Sequence, residues 1–181
     1  MLRISFSGAA RAGKDTAVEI VQGILPDMGH IKFATKLHEV LRSMHGELGL
    51  GYSKDRELLQ YIGVWGRKRD ENIWVRPVVQ LLQDNRDKSF CASDGRFINE
   101  LMALRAAGFI LTKIIRKDLP DAGAEWRKHE SETALDSFTG WDYIVHNCGK
   151  RNHFEGNIEL LLQMIKTKRH EMYPRTPTII D

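Results

Sequence analysis

The stretch Gly8-Ala9-Ala10-Arg11-Ala12-Gly13-Lys14-Asp15-Thr16 decides the fold of this chain. It has a glycine, four further residues and then a Gly-Lys pair, between an apolar strand-like segment and a helix-like one. Glycines permit the backbone turns that point successive N–H groups inward, and the following helix adds the positive end of its dipole. The lysine can reach the terminal phosphates of a bound nucleotide. The pattern therefore predicts a loop that binds the phosphates of ATP.

The position after Lys14 departs from the common form of this loop. In that form a Ser or Thr hydroxyl follows the lysine and binds magnesium. Here Asp15 follows, and the hydroxyl comes one residue later, at Thr16. Either Thr16 takes the related role, or Asp15 contacts the metal through water or orients the acceptor. The shift counts against a GTPase-type switch. The residues expected to bind ATP are Gly8, Ala9, Arg11, Ala12, Gly13, Lys14, Asp15, Thr16 and Arg116.

Strand-like and helix-like segments alternate along the chain. Strands are predicted at Leu2–Ser7, Ile31–Ala34, Phe90–Ser93, Phe109–Ile115 and Tyr143–His146. The first two helices are predicted from Lys14 and from a Thr35 cap to Gly46. Two more are predicted from Ser53 and from Asp70, the latter with a kink or a fresh start near Pro77. The last two are predicted over Asn99–Ala107 and around Ile158–Ile165. This alternation predicts an α/β P-loop fold of three layers, with a five-stranded parallel sheet flanked by helices. We expect residues 1–181 to form a single domain.

Two long stretches do not fit the simple alternation. Residues 46–76 are polar, aromatic and dotted with glycine, and residues 117–139 are charged and weakly periodic. Both follow strand-and-helix units, where α/β folds place their ligand loops. We therefore interpret residues 46–76 as a substrate arm and residues 117–139 as a lid.

Composition and charge limit the classes of function. The chain has 181 residues, of which 42% are hydrophobic, and carries a formal net charge of +3 with a pI near 8.9. That charge suits anionic substrates and is too mild to indicate a nucleic acid partner. The apolar runs are too short to span a bilayer and no signal peptide is recognisable, so we expect a cytoplasmic protein without a membrane partner. Cys91 and Cys148 are too few for a zinc site or disulfide framework, and Cys91 is expected to be buried.

Several segments, taken in order, resemble the phage-type deoxynucleoside monophosphate kinases, which belong to the P-loop nucleoside monophosphate kinase group. The resemblance covers about residues 3–165. Two segments near the N-terminus carry it, the phosphate loop and Lys32-Phe33-Ala34-Thr35-Lys36-Leu37. The predicted substrate arm contributes Leu58-Leu59-Gln60, Gly63, Arg67, Asp70 and Ile73-Trp74-Val75. The remaining matches are Ser93-Asp94-Gly95-Arg96-Phe97-Ile98-Asn99-Glu100, then His129-Glu130-Ser131-Glu132 in the predicted lid, and finally Asp142 with Asn147. The resemblance implies Mg²⁺ as cofactor, ATP as donor, free nucleotides as partners and, for a phage-encoded chain, the host cytoplasm. A homodimer stays open.

Within the phosphate loop, the catalytic candidates are Lys14 and Asp15. Outside the loop, the predicted catalytic pair is Asp94 and Arg96. Asp94 ends an apolar strand, where phosphotransferases place an acidic group beside the magnesium or the acceptor. With Thr16 it is the expected metal contact, directly or through water. The alternative for Asp94 is a cap or turn aspartate. Arg96 offers a planar donor fork for phosphate oxygens, and its alternative is a surface salt bridge.

In the lid, Arg127 and Lys128 are the preferred catalytic cations, because cations that close over the site stabilise the charge of a transferring phosphoryl group. The alternative is a solvated charged face. For the acceptor, Gln60 could read a base edge and Arg67 could hold a monophosphate, whereas Trp74 could stack on the base or pack in the core. The full set of expected acceptor residues is Phe33, Lys36, Gln60, Arg67, Asp70, Trp74 and Glu132.

The leading hypothesis is phosphoryl transfer from ATP to a deoxynucleoside monophosphate. A close alternative is a P-loop kinase of another acceptor, either a modified base in phage DNA or a small-metabolite hydroxyl. A third class is a nucleotide-binding regulatory module without turnover. The lysine of the loop, Asp94 and the lid cations argue against this class. ADP release with and without added monophosphates separates the three.

Overall fold

The computed structural model describes residues 1–116, 130–167 and 176–181. Strands in these residues are β1 (Arg3–Ser7), β2 (Gly29–Ile31), β3 (Phe90–Ala92), β4 (Ile110–Ile115), β5 (Tyr143–His146) and β6 (Thr178–Ile180). Helices are α1 (Lys14–Ile24), α2 (Ala34–Glu47), α3 (Arg56–Arg69), α4 (Val75–Asp84), α5 (Ile98–Ala106), α6 (Glu130–Thr133) and α7 (Arg151–Thr167). The strands form one sheet in the order β2-β3-β1-β4-β5-β6, and every neighbouring pair is parallel. The predicted parallel α/β fold is confirmed.

The sheet has six strands where five were predicted, so the strand count was wrong. The additional strand is β6, which pairs with β5 in the register Tyr143↔Thr178 and Val145↔Ile180. Its sequence is Thr-Ile-Ile, which is too short to show an alternation of apolar and polar residues. Its pairing with β5 is a tertiary contact that the local pattern cannot reveal.

The core lies on both faces of the sheet, which explains why all five residues of β1 are buried. On one face, α1 and α7 pack through residues such as Val18, Phe154 and Leu161. On the other face, α4 and α5 pack through residues such as Val78 and Leu101. The three predicted layers are therefore present. Cys91 is fully buried in β3 as expected, and burial raises the pKa of its thiol to about 12.

Several predicted element ends shift by a few residues. The second strand ends at Ile31, and α2 begins at Ala34, ahead of the predicted Thr35 cap. Gly46 lies inside α2 instead of ending it. In α3 the cap is Asp55, whose carboxylate accepts a hydrogen bond of 2.9 Å from the Leu58 N–H, and the predicted start at Ser53 was too early.

Pro77 does not interrupt a helix, because α4 begins at Val75 and places the proline in its first turn. The first N–H groups of a helix have no partner within it, so a proline costs no hydrogen bond at that position. Of the predicted apolar stripe, Trp74, Val78 and Leu82 are buried.

Candidate active site

The phosphate loop has the backbone conformation that its glycines allow. It connects β1 to α1, and φ is positive at Gly8 (146°), Arg11 (65°) and Gly13 (106°). A Cβ atom at Gly8 would collide with the carbonyl oxygen of Ile114 in β4, and one at Gly13 would lie 2.6 Å from Nδ2 of Asn147. Both glycines are therefore required by close approach of the loop to the sheet edge as well as by their φ angles.

Lys14 is the first residue of α1 and folds back over its own loop. Its ammonium donates hydrogen bonds of 2.9 Å to the Gly8 carbonyl and 2.7 Å to the Ala9 carbonyl. These contacts hold the positive charge at the mouth of the loop. An anion bound there would meet the ammonium, inward-facing N–H groups and the helix N-terminus together.

A donor-side cavity of about 400 Å³ opens beside the loop. It contains six of the predicted ATP contacts, namely Arg11, Gly13, Lys14, Asp15, Thr16 and Arg116. Its remaining lining residues are Asn147, Gly149, Arg151 and Phe154, which were not predicted as ATP contacts. The other three predicted contacts, Gly8, Ala9 and Ala12, do not line this cavity, and their carbonyls accept hydrogen bonds from Lys14 or Asn147. The six contacts that line it, from the loop and from the end of β4, thus lie around one space.

Asn147 joins the phosphate loop to the segment after β5. Its side-chain Nδ2 donates to the Ala12 carbonyl at 2.9 Å, and its Oδ1 accepts from the Gly149 N–H at 3.1 Å. The residue is buried. Because it comes directly after a parallel strand, its position at the carboxyl edge of the sheet was available from the sequence.

A second, acceptor-side cavity of about 320 Å³ lies between α2, α3 and the end of β3. Predicted residues that line it are Phe33, Gln60, Arg67, Trp74, Asp94 and Arg96. The lining residues that were not predicted as site residues include five polar or charged ones, Lys32, His38, Lys54, Arg56 and Glu100. The lining is rich in Lys and Arg side chains, and the two carboxylates are those of Asp94 and Glu100. This balance suits a ligand that carries a phosphate.

A smaller cavity of about 220 Å³ lies between the other two. It shares Arg11, Lys14 and Asp15 with the donor side. With the acceptor side it shares Ala10, Lys32, Arg56, Asp94 and Arg96. The three cavities are therefore neighbours, and the central one is surrounded by five basic side chains. A group passing from one side to the other would cross this positively charged space.

Asp94 caps α2 and faces the central cavity at the same time. Its Oδ1 accepts from the Phe33 N–H at 2.9 Å and its Oδ2 from the Ala34 N–H at 2.8 Å. Burial raises the pKa of this carboxyl above its usual value, opposed by the two N–H groups and by the charges of Lys32 and Arg96. The two interpretations of Asp94, cap and site residue, are thus compatible in geometry.

Asp15 has a defined set of partners. Its Oδ1 accepts hydrogen bonds of 2.7 Å from the Lys32 ammonium and 2.7 Å from the Ser93 hydroxyl. Burial alone would raise the pKa of Asp15, but these two hydrogen bonds and the Lys32 charge bring it below its usual value. Asp15 therefore stays ionised at neutral pH and links α1 to the ends of β2 and β3.

Glu100 is a buried carboxylate at the start of α5. It accepts hydrogen bonds of 2.7 Å from the Arg96 N–H and 3.1 Å from the Phe97 N–H. Burial raises its pKa to about 7, partly opposed by the Arg96 N–H. Nearby, the Arg67 guanidinium stacks over the Phe97 ring at 4.1 Å. The carboxylate is thus poised to change charge near neutral pH.

Three of the predicted acceptor residues make other contacts. Lys36 pairs with Glu39 at 3.0 Å on the surface of α2. Asp70 accepts from the Asn72 N–H at 2.9 Å and pairs with Arg76. Trp74 is 6% exposed and donates from Nε1 to the Gly63 carbonyl at 3.1 Å, so it packs in the structure while lining the acceptor cavity.

Arg127 and Lys128 lie outside the described residues, as does the part of the lid before residue 130. The side chain of Glu132 likewise lies outside the described part of the chain. Their assigned roles stay predictions. Ser131, which follows directly after Glu130 in α6, lines the acceptor cavity.

The described residues contain no cluster of three or more His, Cys, Asp and Glu side chains arranged to hold a metal ion. Mg²⁺ does not need one, because it is commonly bound by one or two carboxylates together with substrate phosphates. The predicted contacts, the Thr16 hydroxyl and the Asp94 carboxylate, are oxygen donors of the kind that Mg²⁺ prefers. Thr16 lines the donor side and Asp94 the central cavity. Within residues 1–116, 130–167 and 176–181, no helix has the length and apolar character of a membrane span.

Comparison with known proteins gives a relative and a structural neighbour. No family model matches the chain. The uncharacterized protein ORF77 of Ictalurid herpesvirus 1 (strain Auburn) is 35% identical over 97 residues, which are 52% of this chain and 42% of that protein. The chain thus matches less than half the length of this relative. The dephospho-CoA kinase from Campylobacter jejuni has a similar structure, with a TM-score of 0.59 and 16% identity over 92% of this chain and 98% of that one. At this identity the likeness shows that the two chains share a fold.

Proposed function

We propose that this chain is an ATP-dependent kinase that converts deoxynucleoside monophosphates to diphosphates. The observation that carries the proposal is the continuity of the three cavities, with basic side chains concentrated in the central one. These side chains are Arg11, Lys14, Lys32, Arg56 and Arg96. Phosphoryl transfer spreads negative charge over the oxygens of the moving group, and catalysis is mostly positioning and neutralisation of that charge.

The reaction that suits this arrangement is a direct transfer. A phosphate oxygen of the acceptor bonds to the γ-phosphorus while the bond from that phosphorus to the β–γ bridging oxygen breaks, and ADP leaves with the electron pair. Lys14 and the loop would hold the donor phosphates, and Arg96 would hold the acceptor. Thr16 and Asp94 would hold Mg²⁺, whose charge neutralises the nucleotide phosphates when it is bound.

The choice of acceptor rests on the sequence resemblance and is supported by the lining of the acceptor-side cavity. Gln60 offers an amide for a base edge, and Arg67 offers a fork for phosphate oxygens. Residues 46–76 would serve as the substrate arm and residues 117–139 as the lid, with Arg127 and Lys128 closing over the transferred group. We propose free nucleotides in the cytoplasm as the substrates, inside an infected host if the chain is viral.

The test measures ADP release by the purified chain with ATP and Mg²⁺. Separate reactions receive each deoxynucleoside monophosphate, each ribonucleoside monophosphate, dephospho-CoA and duplex DNA. The proposal expects the deoxynucleoside monophosphates to give the highest kcat/KM. Highest turnover with dephospho-CoA or DNA would show that the acceptor class is wrong, and tight ATP binding without turnover would indicate a regulatory module.

The variant Lys14→Met tests the phosphate loop in the same assay. It removes the positive charge at the mouth of the loop, where Nζ donates to the Gly8 and Ala9 carbonyls in hydrogen bonds that are at least partly exposed. We expect kcat to fall by about 100-fold or more, as for loss of one preorganised donor, with an unchanged melting temperature. Wild-type turnover in this variant would place the donor site elsewhere.

A further inference from the structure

We infer that Lys32 is a catalytic residue of the transfer step and that Asp15 is the residue that positions it. The inference rests on the proposed kinase function. Neither role follows from the common phosphate-loop pattern, in which a hydroxyl occupies the position of Asp15. Both roles are inferred from the ion pair between Lys32 and Asp15 and from two residues, Ser93 and His30, that hold this pair in place.

Lys32 stands at the border between the central and acceptor-side cavities. It comes directly after β2, at the carboxyl edge of the sheet, and lines both spaces. Lys14 lines the central cavity from the donor side. Both lysines therefore border the central cavity, through which a group in transit between the other two cavities would pass.

The ion pair of Lys32 and Asp15 joins Nζ to Oδ1 at 2.7 Å, with the two side chains 40% and 65% exposed. Exposed ion pairs of this kind contribute little to stability, so the pair has no strong structural purpose. What it does is restrict where the long Lys32 side chain can reach. A neutral serine or threonine hydroxyl at position 15 would be shorter and would lack the charge that holds an ammonium.

Asp15 is itself held by a buried group. The Ser93 hydroxyl donates to the same Oδ1 at 2.7 Å, and Ser93 is 2% exposed. The single hydrogen of this hydroxyl is thereby used, so its 2.8 Å contact with His30 Nε2 requires the imidazole to donate. A series of hydrogen bonds thus runs from His30 through Ser93 and Asp15 to Lys32. This series connects β2, the end of β3 and the start of α1.

The chemical role follows from the transfer step. As the acceptor oxygen bonds to the γ-phosphorus and the bridging oxygen leaves with ADP, charge is carried by the three remaining oxygens of the moving group. Lys32 would donate hydrogen bonds to those oxygens without gaining or losing a proton. A positioned cation acts more strongly than a free one because it needs no rearrangement during the reaction.

The experiment is a double-mutant cycle in kcat with Lys32→Met, Asp15→Asn and the double variant. We expect Lys32→Met to lower kcat by about 100-fold and to leave KM for ATP within about twofold. Asp15→Asn should lower kcat on the order of 10-fold, as does loss of a group that orients another. The double variant should be no slower than Lys32→Met, since Asp15 acts through Lys32. Lys32→Arg should recover part of the loss.

The matched control is Lys88→Met, which removes the same charge from the turn before β3. This turn lies at the other end of β3 from Ser93 and Asp94. The control variant should leave kcat unchanged. Because the variants are compared on whichever acceptor the wild type uses, a wrong acceptor class does not affect this test.

Three outcomes would overturn the inference. If the losses from Lys32→Met and Asp15→Asn multiply in the double variant, Asp15 acts independently of Lys32. If Lys32→Met raises KM for the acceptor and leaves kcat intact, Lys32 only binds substrate. A wild-type protein without turnover on any acceptor removes the proposed function and the catalytic role together.

Discussion

Glu100 gives the fold a dependence on pH that can be assigned to one side chain. Burial raises the pKa of its carboxyl from 4.5 to about 7. Between these values the folded protein keeps the proton that the unfolded chain has lost. The folded state then binds more protons than the unfolded state, so the free energy of unfolding falls as pH rises through this range. Below the lower value both states are protonated, and Glu100 imposes no cost.

We therefore predict that Glu100→Gln flattens the pH dependence of stability. The wild type should lose up to about 3 kcal/mol of unfolding free energy between about pH 5 and about pH 8 from this group, and the variant should not. Urea unfolding of both proteins across that range measures the difference, in which other titrating groups cancel. Parallel curves for the two proteins would show that Glu100 titrates normally.

The sequence identifies some residues of the site and not others, for a physical reason. The phosphate-loop residues are contiguous, so their spacing alone predicts their shared function. Lys32 and Arg56 come from separate segments, and only tertiary packing, in which α3 contacts α2, brings them to the central cavity. Asn147 hydrogen-bonds Ala12, which is distant in sequence, so its contact with the loop is visible only in the folded structure. Glu100 accepts from the nearby Arg96 and Phe97 N–H groups, but its burial depends on tertiary packing.

At the scale of the element, the start of α2 is determined by a residue outside the helix. The N–H groups of Phe33 and Ala34 donate to Asp94, which follows β3. This explains why the predicted Thr35 cap is not used. An anion at a helix N-terminus also interacts favourably with the helix dipole. The same carboxylate borders the central cavity, so helix geometry and site geometry are coupled through it.

We predict that Asp94→Asn lowers both stability and kcat. Loss of the charged acceptor should cost about 1–2 kcal/mol of unfolding free energy. The fall in kcat should exceed any rise in the Kd for ATP. The control is Asp55→Ala, which removes the cap of α3 and should cost about 1 kcal/mol without a change in kcat. If Asp94→Asn behaves like Asp55→Ala, Asp94 serves as a cap alone.

At the scale of the whole molecule, β6 is a strand that sequence reasoning missed. It forms one edge of the sheet, next to β5, whose end carries Asn147. Its two isoleucines differ sharply, because Ile180 is 3% exposed and packs into the core on the α1 and α7 face, whereas Ile179 is 59% exposed. A short strand of this kind is recognised by its pairing and burial.

This difference predicts two unequal substitutions. Ile180→Ala should lower the free energy of unfolding by about 2–4 kcal/mol, since it removes buried methyl groups and leaves a cavity. Ile179→Ala should change it by about 0.5 kcal/mol or less. Denaturant unfolding of both variants provides the measurement. Equal effects would mean that β6 is not docked as described.

The other five strands were predicted because each is an apolar run followed by a polar or glycine-rich turn. Tyr143–His146 was predicted with its observed bounds. The second strand was predicted at Ile31–Ala34, two residues too late at its start and three too late at its end, because Phe33 and Ala34 look like strand residues locally. Their hydrogen bonds to Asp94 commit them to the start of α2. Local pattern thus predicts the order of elements, and long-range partners set their ends.

The central position of β1 has a consequence for the growing chain on the ribosome. Ser5 pairs with Ala92 and Leu111, so roughly 90 residues, or about 5–20 s of synthesis, separate the strand from its first partner. During that interval five residues destined for burial stay without their sheet. Unpaired apolar strands are templates for wrong association. Nascent chains that stop short of β3 should therefore be the ones that most need a chaperone.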